Sequence, residues 1–65
     1  MLNDLRQSED SAAGCRAHAA HDLMVAADEP NEQIRDRLER SAAAWSARAS
    51  LLQRLEEGRA RAHAR

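Results

Sequence analysis

Asp28-Glu29-Pro30-Asn31-Glu32 is the one strong break in this 65-residue chain, and its reading decides the fold. It follows a run ending in Val25-Ala26-Ala27 and precedes a clean helical pattern. Proline suits the first helical turn, where its missing N–H is not needed. Asp28 or Glu29 can then cap the new helix, and acids there complement the positive end of its dipole. Pro30 therefore marks the start of a second helix, with the turn at about 28–29.

Downstream of the break, Ile34, Leu38, Ser41 and Ala42, Trp45, Ala49, Leu52 and Leu55 recur at three- and four-residue steps. Charged residues fill much of the opposite side, and Asp36–Arg40 is a favourable i,i+4 pair. The pattern predicts helix two over about 30–57. Gly58 opens a tail over 58–65, Arg59-Ala-Arg-Ala-His-Ala-Arg65, whose positive charge suits a helix C-terminus.

Upstream, Leu5, Ala12, Cys15, Ala19, Leu23 and Ala26 form one stripe, with Ser8 in line, and predict helix one over about 3–27. Gly14 in its middle costs about 1 kcal/mol relative to Ala. Small residues on this stripe let Trp45 and the leucines of helix two pack over it. The expected fold is all-α, a two-helix antiparallel hairpin forming a single domain.

Such a hairpin is poor in core. Fifteen of its residues are Ala, and neither Phe nor Tyr occurs. The larger apolar side chains are too few to offset the ordering of two helices, since a chain this short buries a small share of its surface. A second copy, pairing into a four-helix bundle, is the expected remedy. Residues 1–29 sum to a charge of −4 and residues 30–65 to +3, which favours antiparallel association weakly.

Composition narrows the function classes. All ten basic residues are Arg, yet the net charge of −1 exerts no general pull toward nucleic acid or anionic membrane. A single Cys cannot form an internal disulfide. No apolar run approaches the ~20 residues needed to span a bilayer. The N-terminus lacks the basic-then-apolar layout of a signal peptide, so the expected location is the cytoplasm.

Cys15, His18, His21 and Asp22 are the one cluster with a chemical look. Cys15/His18/Asp22 offer sulfur, nitrogen and oxygen donors on one helical face, a set that transition metals accept. No paired C-x-x-C or H-E-x-x-H accompanies them, so metal binding stands as an alternative and not as the main expectation. Catalysis by Cys15 with a histidine base needs a pocket that two helices do not wall. The chain is expected to be no enzyme and to use no cofactor. A second alternative is nucleic-acid association through Arg48, Arg54, Arg59, Arg61 and Arg65, against which stands the lack of stacking aromatics. The main expectation is a non-catalytic adaptor, regulator or inhibitor whose partner or dimer interface is Leu38, Trp45, Leu52 and Leu55. Large aromatics dominate interface energetics, which puts Trp45 first among them.

Cys15-Arg16 with Ala19, then Pro30, then Arg35, Arg37, Leu38, Ala42, Trp45 and Ala49 form a pattern of their own. It resembles small helical-hairpin proteins of alphaproteobacteria that combine a Cys-Arg helix, a proline turn and an R-x-R-L-x-x-x-A-x-x-W helix. Arg48 departs from the leucine of that pattern. The resemblance implies a helical hairpin in a bacterial cytoplasm, and it brings no activity with it.

Overall fold

A computed structural model describes residues 9–63. Among the described residues two α-helices, α1 (Ala12–Ala27) and α2 (Glu32–His63), pack against each other as an antiparallel hairpin. The described residues contain no strand.

α1 begins later than the sequence pattern predicts. Ser11 takes an extended backbone, and its Oγ accepts the Gly14 N–H at 3.0 Å, which makes it the N-cap. The Ser11 carbonyl receives the first helical bond, from the Cys15 N–H. A helix cannot run unbroken through an extended residue, so the helix expected over about 3–27 is broken at Ser11; its stretch over 3–8 lies outside the described residues. Leu5 and Ser8 lie outside the described residues.

The turn occupies four residues. At the end of α1 the Asp28 and Glu29 N–H groups reach back to the Val25 and Ala26 carbonyls, tightening the last turn. Pro30 has no N–H to continue that ladder and disfavours helical backbone at Glu29. The cap of α2 is Asn31, neither Asp28 nor Glu29. Its Oδ1 accepts the Gln33 and Ile34 N–H groups at 3.0 and 3.2 Å, and its carbonyl accepts the Arg35 N–H. Pro30 thus precedes the cap instead of opening the helix. The Glu29 carboxylate accepts the Asn31 N–H and closes the turn.

α2 runs past Leu55 and through Gly58 to His63, six residues beyond the expected end. Arg61 and His63 in its last turn complement the negative end of the dipole.

The seam between the helices is built of small side chains. Ala12, Ala19 and Ala26 repeat every seven residues on α1, and Ala42 and Ala49 do so on α2. These five, with Cys15, are the buried apolar residues, and Cys15 is fully enclosed. A seven-residue repeat keeps one face turned toward a neighbouring helix, and alanine there lets the backbones approach closely. The larger residues, expected to pack over an alanine surface, instead border it. Leu38, Trp45 and Leu52 are half-buried, whereas Ile34, Leu23 and Leu55 are exposed. Between Ala19 and Ala26 the half-buried place goes to Asp22 instead of Leu23.

Candidate protein-binding surface

Register along the seam is held by polar contacts at the open end of the hairpin. Glu56 Oε2 accepts the Ala12 N–H at 3.0 Å, satisfying an orphan donor of α1 from across the molecule. A carboxylate at that position also meets the positive end of α1's dipole. Arg16 donates to Gln53 Oε1, and Gln53 Nε2 donates to Glu57. Arg48 Nε donates to the Glu9 carbonyl at 2.9 Å, and Arg48 lies 3.6 Å from the Asp10 carboxylate. Both of those side chains are exposed, so the ion pair contributes little beyond position.

The four expected interface residues divide three to one. Leu38, Trp45 and Leu52 follow one another at seven-residue spacing along one border of the seam. Trp45 is covered on one face by His18: the rings stack with centroids 4.3 Å apart and planes 16° from parallel. That geometry suits an aromatic pair and fixes the indole's orientation. Leu55 lies about 80° round the helix from Trp45 at 3.6 residues per turn. It shares the outward side with Leu51, and both are about half exposed.

The structure does not assemble the metal alternative. Cys15 turns into the seam, its thiol 3.6 Å from the Glu9 carbonyl, while His18 lies against Trp45. No group of three His, Cys, Asp or Glu among the described residues is placed to hold a metal ion. Asp22 carries one carboxylate oxygen, Oδ2, that is shut off from solvent and has no hydrogen-bond partner. Leaving such an acceptor unpaired costs about 1–3 kcal/mol.

A surface depression lined by Gln33, Asp36, Arg37 and Arg40 draws all its walls from α2. One helix cannot enclose a small molecule in the way a ligand site does. Among the described residues no helix is long and apolar enough to cross a membrane.

Sequence reasoning missed three positioning residues: Ser11, Asn31 and Glu56. Ser11 and Asn31 each had a signal, since Ser and Asn lead the residues found at helix N-caps. Ser11 precedes an alanine run, but Gly14 stands where a capping box would have Glu or Gln. Glu56 had no local signal, because its partner lies 44 residues away in sequence.

No protein-family model, no curated protein and no solved structure matches this chain.

Proposed function

We propose that this chain is a non-catalytic protein–protein interaction module, a small adaptor, regulator or inhibitor that works by presenting an apolar helical face. One observation carries the reading: six large apolar side chains are on the outside, and Leu38, Trp45 and Leu52 are only half-buried. Leu23, Met24, Val25, Ile34, Leu51 and Leu55 are between 41% and 70% exposed, while the buried positions are five alanines with Gly14 and Cys15. The shape agrees with it. The radius of gyration is 14.4 Å, against about 11 Å for a compact domain of this length.

In the finer form of this reading, two hairpins pair antiparallel into a four-helix assembly. The Leu38, Trp45 and Leu52 border, with Ile34 alongside, then becomes part of a shared core. A bacterial cytoplasmic setting belongs to the same reading, in keeping with the lone, enclosed thiol of Cys15. Light scattering on the eluting protein at two concentrations tests it. A dimer mass, reduced to monomer by Trp45→Ala with helicity retained, is the expected result. A monomer at every concentration, or an unchanged dimer in Trp45→Ala, removes the assignment of this border.

The nucleic-acid alternative gains one point, since Arg48, Arg54, Arg59 and Arg61 all stand on continuous helix. Arg65 lies outside the described residues. The only aromatic ring beyond the histidines, Trp45, is engaged with His18 and lies nine or more residues before Arg54, Arg59 and Arg61.

A further inference from the structure

α2 carries a second apolar strip, on the side facing away from α1. Ala44, Ala47, Leu51, Leu55, Gly58 and Ala62 follow one another at three- and four-residue steps, and all are exposed. Leu51 and Leu55, at 54% and 50% exposure, are its centre. Leu51 lies about 200° round the helix from the seam residue Ala49. The last turns of α2 also run past α1, because Ala12, the first residue of α1, already lies against Glu56.

The borders of this strip are cationic. Arg48 and Arg59 flank one side, and Arg54 and Arg61 the other; Arg48 already lies against Asp10, so Arg54, Arg59 and Arg61 carry most of the edge charge. The acids between Ala44 and His63 are Glu56 and Glu57, two carboxylates against the four arginines. Glu56 holds the Ala12 N–H, and Glu57 accepts from Gln53. The strip therefore offers an aliphatic centre, small residues that permit close approach, and arginine along both edges.

We propose that this outward strip of α2 docks an acidic amphipathic helix from a different protein, one with leucine-like contact residues and Asp or Glu at its flanks. The proposal rests on the reading of the chain as a protein-binding module and names the partner's chemistry. An apolar helical face laid on a complementary strip is a recurrent recognition mode, with the flanking charges selecting the partner. A second copy docked strip to strip sets arginine against arginine, which like-charge repulsion penalises. Nucleic acid fits poorly, because the centre of the strip is aliphatic and offers no ring for a base to stack on.

The test uses the full chain and a labelled synthetic helical peptide three heptads long, with Leu at the contact positions and Glu at the flanks. A matched peptide with Lys at the flanks is the control, and binding is read by fluorescence anisotropy. The glutamate peptide is expected to bind, more weakly as salt rises, and the lysine peptide is not. Leu51→Ala with Leu55→Ala should weaken binding on the order of tenfold or more, with helicity retained by circular dichroism. Arg54→Gln with Arg61→Gln should weaken it and flatten its salt dependence.

Equal binding of the two peptides, binding of neither, or an undiminished affinity in the leucine variant overturns the proposal. So does self-association, seen by light scattering, that Leu51→Ala with Leu55→Ala abolishes and that the glutamate peptide does not disrupt, which marks the strip as a self-interface. Displacement by single-stranded DNA, sensitive to the arginines and not the leucines, overturns it in favour of a nucleic-acid face. The mass of Trp45→Ala reports on the Trp45 border alone, so the two assignments fail separately.

Discussion

Replacing Ala49 by Leu distinguishes two ways of holding these helices together. If Trp45 and the leucines set the spacing, an added Leu on the inner stripe finds room. Its three extra carbons then contribute roughly 0.8 kcal/mol each, raising stability by about 2.4 kcal/mol. The structure argues for the opposite sign. Ala49 is 1% exposed and sits in a seam made of Ala42 on its own helix and Ala12, Ala19 and Ala26 on the other. Helix propensity barely changes between Ala and Leu, so the difference is one of packing. Forcing side-chain volume into a close-packed seam costs about 1–3 kcal/mol. For a domain of this size that lowers Tm by roughly 4–24 °C. Thermal unfolding by far-UV circular dichroism, at matched protein concentration because association shifts Tm, reads the change. Ala47→Leu, on the exposed side, is the control and should move stability by no more than about 0.5 kcal/mol. A rise in Tm for Ala49→Leu refutes the alanine seam.

Four further outcomes follow from particular contacts. Ser11→Ala and Asn31→Ala each remove an N-cap acceptor and should cost about 1 kcal/mol, read as a lower urea midpoint. Gly58→Ala should raise helicity by circular dichroism and add up to about 1 kcal/mol, because a Cβ there meets nothing within 4 Å. Asp22→Ala removes the enclosed, unpartnered Oδ2 and should raise Tm; a fall would show that this oxygen has a partner in solution. The Cys15 thiol is fully enclosed, so its reaction with a thiol reagent should be slow in the folded protein and fast in denaturant. Rapid labelling of the native protein would contradict that burial.

The sequence by itself determined the existence of two helices and the place where the chain reverses. Pro30 cannot donate to a helical ladder whatever surrounds it, and the apolar steps through Ile34, Leu38, Trp45 and Leu52 have no other regular solution. The alanines that form the seam were also legible, since Ala12, Ala19, Ala26, Ala42 and Ala49 already stood on the two predicted stripes. Which members of those stripes are buried was decided only by the tertiary structure. Periodicity assigns a face about a third of the helix wide, whereas an alanine seam is narrower than that face. Ile34 at its margin, and Leu55 beyond it, are left on the outside. The seam's exact register belongs to tertiary structure as well, because the bond from the Ala12 N–H to Glu56 joins residues whose nearness no local pattern encodes. The outward strip through Leu51 and Leu55 had the same origin. An exposed face takes its meaning from which side the partner helix covers, and that is settled when α1 packs on α2.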